Sequence, residues 1–209
     1  MAADIAALVA AGDYRAAQAA LGVTVDGIWG PRSRAAYEAW RAAQSVPAEV
    51  VPAAEIRALA VRLALGCTDV REVGGNNRGP QVESIQRWGG GAPGDAWCAQ
   101  FVCWAHDIAA RAHGYRLARR SGGCDRLAEI TPSCAPQPGA LVMRFAEGSR
   151  SDRAHVELVT GFDGTWIASV GGNTNGSLSR DGSGVHAHPQ FIRIDDPRYA
   201  GCHLPEYVR

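Results

Sequence analysis

The stretch DAWCAQFVCWAHD, residues 95–107, holds two cysteines five positions apart, and histidines at 106, 113, 155, 186, 188 and 203 are available as partners. A cysteine does chemistry as its thiolate, which needs an electropositive setting and a base within hydrogen-bond reach. Gly90, Gly91, Pro93 and Gly94 forbid a helix until about residue 96, so a helix beginning there puts Cys98 in its first turn. There the unpaired backbone N–H groups and the positive end of the helix dipole favour a thiolate, lowering the pKa from its free value of about 8.5. Helical rotation of about 100° per residue sets Cys98 at the margin of an apolar arc of Trp97, Phe101, Trp104, Ala105 and Ile108. Cys103 turns toward Gln100 and Asp107 and gains nothing from the helix end. Cys98 is the candidate nucleophile, and Cys103 a structural or exposed thiol.

Among the histidines His155 stands out, because AHVELVTGF alternates as a strand and Asp163-Gly164 turns the chain back through TWIASVGGN. A loop of Asp163, Gly164 and Thr165 makes Phe162 face Trp166 and His155 face Asn173. A two-residue loop shifts the register by one and turns Asn173 to the other face. An Asn beside the ring can fix its tautomer and leave the other nitrogen for the thiol. Gly171 and Gly172 allow close backbone approach there. Glu157, two along the same strand, is the competing orienter, across a spacing of roughly 7 Å.

The elements that must position these residues follow from the remaining sequence. Its 209 residues suit one ordinary domain and a small one. Residues 3–22 read as two alanine-rich helices broken at Ala11-Gly12-Asp13, and Pro31 opens a third, so residues 1–46 form a three-helix module. Prolines 47 and 52 mark a linker over 47–53. From 54 to 209 a helix ending at Gly66, a second from Pro80 and a third at Trp97 precede the strand-like runs GALVMRF, AHVELVTGF and TWIASV. Helices first and strands second describe an α+β domain. Glu72, Asn76, Asn77 and Arg78 form a polar cluster suited to a groove lining or a solvated turn; Glu72, Asn77 and Trp97 are the candidate substrate contacts.

Two segments carry family resemblances. ALGVTVDGIWGPRSRAAYEAW resembles the three-helix peptidoglycan-binding domain, with Asp26, Gly27, Trp29 and Gly30 at the signature positions ahead of the last helix. The alternative is that Asp26-Gly27 and Trp29 merely build a turn and a core contact. GDAWCAQFVCWAHD followed by AHVELVTGFDGTWIASVGGNTNG resembles the CHAP family of cysteine, histidine-dependent amidohydrolases and peptidases, and REVGGNNRGPQVESIQRWGGG is similar to the lead-in of its phage-type members. The resemblance implies a papain-like fold with Cys98 as nucleophile, His155 as base and Asn173 as third member, acting on bacterial peptidoglycan without a cofactor or metal. Departures are Ala154 where many relatives have Gly, Gly171 where some carry Glu, and Ala92 in place of a papain-type glutamine.

Charge and composition bound the rest. Twenty-one Lys and Arg balance 21 Asp and Glu, so no overall field points to nucleic acid or anionic lipid. No apolar run reaches the roughly 18 residues of a bilayer span, and MAADIAALVAAG lacks a basic start, so a soluble monomer without a signal peptide is expected. Such a hydrolase would be made in the bacterial cytoplasm and reach the wall after release by a phage holin, or by injection as an antibacterial effector. Six cysteines are too few to define the fold, although Cys124 and Cys134 can close a short loop in an oxidising compartment. The rival readings are a zinc peptidase using His186 and His188 with His203 or Cys202, and a wall-binding protein without catalysis.

Overall fold

The computed structural model describes residues 4–45, 53–176 and 182–209. The chain divides into two compact units, Met1–Val50 and Val51–Arg209. The expected linker lies, except for residue 53, outside the described residues.

The first unit holds α1 (Ile5–Ala10), α2 (Tyr14–Leu21) and α3 (Pro31–Ser45). Asp4 and Asp13 cap α1 and α2, their carboxylates accepting the N–H groups of Ala7 and Ala16 at 3.1 Å each. Caps of this kind contribute about 1 kcal/mol apiece, which matters in so small a core. Gln18, 1% exposed, organises the turn that follows α2. Its Oε1 accepts the Gly27 N–H at 2.8 Å, and its Nε2 lies 2.7 Å from Asp26 Oδ1 and 2.9 Å from Ser33 Oγ. Asp26 Oδ1 also accepts the Ile28 N–H at 2.8 Å, so Asp26 is first a turn-former, as its alternative reading held. Trp29 stacks on Tyr14 at 5.2 Å and meets Tyr37 edge-on at 5.8 Å, and Tyr37 stacks on Trp40 at 5.7 Å. All four rings are partly exposed, forming one aromatic ladder.

The second unit sets α4 (Ala53–Leu65), α5 (Pro80–Trp88), α6 (Cys98–Ala112) and α7 (Cys124–Ile130) beside a six-stranded antiparallel sheet. Its strands are β2 (Ser133–Cys134), β3 (Leu141–Phe145), β4 (Arg153–Phe162), β5 (Trp166–Thr174), β6 (Gly184–Arg193) and β7 (Tyr199–His203), in the order β2-β7-β3-β4-β5-β6. A two-stranded ribbon pairs β1 (Arg116–Leu117) with β8 (Tyr207–Val208). Eleven of the fifteen residues of α6 are buried, which makes it the central helix of the unit. Phe101 and Val102 of α6 share a core with Ile56, Val156, Leu158 and Val170. A second cluster of Val142, Val159, Ile167, Phe191 and Ile192 buries alternate strand positions. The α+β architecture expected from the sequence is present.

The β4–β5 register decides what His155 faces. The turn has two residues at its tip: the Asp163 N–H donates to Trp166 O at 3.3 Å, and Gly164 takes the left-handed φ of 96°. Asp163 Oδ1 holds the turn by accepting the N–H groups of Thr165 and Trp166. Phe162 therefore faces Ile167 rather than Trp166. A bulge at Thr160, between Val159 and Gly161, absorbs the slip, so that Val159 faces Ser169 and Leu158 faces Val170, the alignment of the three-residue loop.

Candidate active site

Cys98 is the first residue of α6, and no side chain caps that helix end, so the first-turn N–H groups are turned on the thiol's surroundings. The residue is 5% exposed. Its sulfur lies 3.8 Å from Cys124 Sγ. The hydrogen bond from Cys124 is the largest influence on the Cys98 thiol; burial opposes it, and the His155 imidazole and the Val156 N–H add to it. The balance holds Cys98 well below the usual thiol range, which favours a thiolate. Cys103 behaves oppositely: burial pushes its thiol up to about 11, and its sulfur donates to Ser121 O at 3.7 Å. The two cysteines thus differ in the direction their surroundings shift them, Cys98 toward thiolate and Cys103 toward thiol.

His155 is fully buried on β4, and Glu157 two residues on is its partner: Nε2 lies 3.0 Å from Glu157 Oε1. Two long side chains on one strand face close the i,i+2 gap by leaning together. Since the carboxylate can only accept, Nε2 carries the hydrogen. Nδ1 makes no hydrogen bond among the described residues and is the ring nitrogen that Glu157 leaves available. Glu157 Oε2 accepts from Ser169 Oγ at 2.6 Å and from His188 Nδ1 at 3.0 Å. His188 Nε2 lies 3.0 Å from the Asn175 carbonyl. With an acceptor at each nitrogen, the His188 ring donates twice and is a cation. Burial alone raises the Glu157 carboxyl, but the hydrogen bonds from His155 and His188 reverse this and bring it to about 2. Burial lowers His155, and the influence of the Cys98 thiol and of its Glu157 hydrogen bond overcomes that and raises it to about 9. Hydrogen bonds join His155, Glu157 and His188 in one row, and Cys98, shifted toward its thiolate by His155, adds a second anionic group against the two rings, so that opposite charges offset one another. Cancellation is what makes charge tolerable in so dry a site.

Asn173 makes no hydrogen bond to the ring. It is 1% exposed, and its amide has no hydrogen-bond partner among the described residues. Its backbone takes the left-handed φ of 54°, and the β5–β6 register shifts between Gly171 and Thr174, so strand alternation fails where Asn173 sits. The hydrogen bond to the ring comes instead from Glu157, on the strand of His155 itself. Gly171 lies under the Glu157 side chain: a methyl group there would overlap Cγ and Cδ and stand 2.9 Å from Oε1. Gly172 gives room to the α6 end in the same way, since a methyl there would be 2.8 Å from Trp97 Cε3 and 2.9 Å from Phe101 Cβ.

The candidate substrate contacts serve as scaffold. Trp97 is fully buried and donates its indole N–H to Glu72 Oε1 at 2.9 Å. Glu72 Oε2 accepts the Asn77 N–H at 2.8 Å, and the Asn77 carbonyl accepts from Gln86 Nε2 at 3.0 Å. This network ties the loop before α5 to the start of α6 through the Trp97 indole, the Glu72 carboxylate and the Asn77 backbone, while the buried Asn77 Oδ1 has no hydrogen-bond partner among the described residues. The zinc set is dispersed as well. His188 belongs to Glu157, and His203 and Cys202 on β7 are separated from β6 by three strands. Among the described residues no group of three His, Cys, Asp or Glu side chains could hold a metal ion. Cys124 and Cys134 do not close a loop: all six cysteines are free, with Cys134 opposite Cys202 and Cys124 beside Cys98.

Sequence reasoning missed Ser169, His188 as an ally of the carboxylate, and Cys124. His188 had a signal in HAHP, two histidines on one strand face, but the partner lay on another strand. An activated thiol, a ring able to move a proton, and helix N–H groups beside both are the parts needed to attack a carbonyl and hold the resulting oxyanion. Compared with family models, curated proteins and solved structures, the chain finds no match in any of the three.

Proposed function

We propose that this chain is a cysteine-dependent peptidoglycan hydrolase of the CHAP type, with a papain-like catalytic domain that cleaves an amide in the peptide portion of the bacterial wall. The bond is either one between amino acids or the muramoyl–L-alanine amide. The observation that supports the reading is the buried Cys98 opening α6, its thiol held below the ordinary range with His155 among the causes, together with the buried His155–Glu157 pair on β4. The Cys98 thiolate attacks the carbonyl, and first-turn N–H groups of α6 hold the oxyanion. The His155 imidazolium gives its proton to the leaving amine. The neutral ring then takes a proton from water, which hydrolyses the thioester and frees Cys98. Glu157 keeps the ring's Nε2–H fixed throughout and offsets the imidazolium charge.

The first unit is read as the wall-docking module. Its support is the partly exposed ladder of Tyr14, Trp29, Tyr37 and Trp40, since flat aromatic rings stack on sugar faces. Tethering raises the local concentration of the wall around the catalytic unit without any new catalytic contact. Among the described residues no helix is long and apolar enough to cross a membrane. Arrival at the wall after holin release fits this pairing of units.

The test is clearance of purified sacculi in three arms. Untreated protein and protein with a chelator are expected to lyse them equally, whereas iodoacetamide-treated protein is expected to be inert. Lysis that survives alkylation and fails with the chelator would refute the thiol mechanism.

A further inference from the structure

The mechanism assigns no step to Cys124, yet its sulfur lies within hydrogen-bond reach of the nucleophile. Cys124 opens α7, is 7% exposed, and places Sγ 3.8 Å from Cys98 Sγ. A disulfide needs about 2.05 Å between sulfurs, so side-chain rotation and a small approach of α7 suffice, not a refolding. The two thiols are also differentiated. The hydrogen bond to Cys98 and burial raise Cys124 well above the ordinary range, so it stays protonated while Cys98 is held as thiolate. A low-pKa thiol beside a neutral one is the arrangement in which the first reacts with an oxidant and the second traps the product.

We propose that Cys98 and Cys124 form an oxidative modification site, with Cys98 as the thiol attacked by a hydroperoxide and Cys124 as the resolving thiol. The Cys98 thiolate attacks the terminal oxygen of the hydroperoxide, and its sulfur–oxygen bond forms as the oxygen–oxygen bond breaks. The departing alkoxide or hydroxide takes the His155 proton and leaves as alcohol or water. Sulfur has lost two electrons to the peroxide. Cys124 then attacks the Cys98 sulfenic acid, its proton going to the expelled hydroxide to make a second water, and the disulfide remains. The thiolate is thereby removed from hydrolysis and shielded from further oxidation until an external dithiol reduces the bond. The inference rests on the reading of Cys98 as the thiolate of the site.

Trypsin makes the linkage readable, because cleavage at Arg87, Arg111, Arg120 and Arg126 puts Cys98 on peptide 88–111 and Cys124 on peptide 121–126. The full chain is treated with a slight excess of hydrogen peroxide, capped with iodoacetamide and digested without reductant. Mass spectrometry is expected to find the two peptides joined, with fragment ions assigning the bond to Cys98 rather than Cys103, and dithiothreitol is expected to restore both free thiols and lytic activity. In Cys124→Ser and Cys124→Ala the same treatment is expected to leave Cys98 as sulfenic acid, captured by dimedone, and then as sulfinic acid, with at least a tenfold loss of dithiothreitol recovery. Cys98 sulfinic acid forming in the unsubstituted chain as fast as in these variants, with no joined peptide, would overturn the proposal. If Cys98 alkylates rapidly near neutral pH in that outcome, the catalytic reading survives. A joined peptide from a chain without lytic activity supports the thiol pair and counts against the hydrolase.

Discussion

Glu157→Gln keeps the shape of the side chain, removes its charge and turns one acceptor into a donor. Three donors converge on the two Glu157 oxygens, from His155 at 3.0 Å, Ser169 at 2.6 Å and His188 at 3.0 Å. An amide has one oxygen, so at least one of these donors meets an NH2 group. A hydrogen bond to a charged partner contributes about 1.5–3 kcal/mol, and 1.36 kcal/mol corresponds to one pH unit. Removing that support therefore lowers His155 from about 9 by about 1–2 pH units. Through the ion pair, the Cys98 thiol rises by a similar amount. The assay is the rate of iodoacetamide alkylation at Cys98 against pH, with Cys103, raised to about 11 by burial, as the slow internal reference. The unsubstituted chain is expected to react with a midpoint well below the free-thiol value. The variant's midpoint is expected about 1–2 pH units higher, with kcat/KM at neutral pH down about 10–100-fold. A midpoint that does not move, in a variant whose thermal unfolding shows it intact, would refute the role given to Glu157.

The pH dependence of activity should have an alkaline limb near the His155 value of about 9, where the leaving amine loses its proton donor; a flat profile through that region, measured as kcat/KM, would contradict the assignment. Stability follows the same groups with opposite signs. The raised His155 contributes fully below its ordinary 6.5 and loses that contribution as pH rises through about 9, while the depressed Glu157 contributes fully above 4.5 and loses it as pH falls through about 2. The depressed Cys98 thiol has the sign of Glu157, so denaturant midpoints should fall as pH drops from neutral toward about 2, while above 6.5 the loss at His155 is opposed by the gain at Cys98. Gly171→Ala inserts a methyl group into the Glu157 side chain, at a cost of about 1–3 kcal/mol if the strand holds; the expected result is lost activity and the raised Cys98 midpoint of Glu157→Gln, read by the same alkylation assay. Gln18→Leu leaves the Gly27 N–H and Asp26 without their partner, so denaturation followed by tryptophan fluorescence should show the first unit weakened by about 1–3 kcal/mol with Cys98 reactivity unchanged.

Much of this site could be read along the chain because its leading members announce themselves locally. The glycines and proline before Trp97 fix where α6 starts, so the choice of Cys98 over Cys103 needed only helix geometry. His155 was legible because β4 alternates cleanly and ends at Asp163-Gly164. The third member was not, for two reasons rooted in non-local pairing. The turn contributes one residue fewer than the expected loop, and the Thr160 bulge returns it, which no periodicity displays. Asn173 then leaves the strand alternation through a left-handed backbone, and the Glu157 side chain takes the room that Gly171 leaves open. The carboxylate was always in the sequence; that it stands over a glycine of the next strand belongs to the sheet. Elements without local signals were missed similarly: α7 has no side-chain cap, and β6 carries Pro189, which a strand tolerates because it lies at the sheet edge. Trp97 looks like a surface aromatic in one dimension, but it is buried with its indole N–H satisfied by Glu72, whose carboxylate also holds the Asn77 backbone.

Amide cleavage by Cys98 is tested most directly by digesting purified sacculi with the full chain and with Cys98→Ala, then identifying every new terminus by mass spectrometry. The account predicts paired new amine and carboxyl termini at one amide position with the unsubstituted chain and none with Cys98→Ala. New reducing sugar ends, or the same amide products from Cys98→Ala, would contradict it.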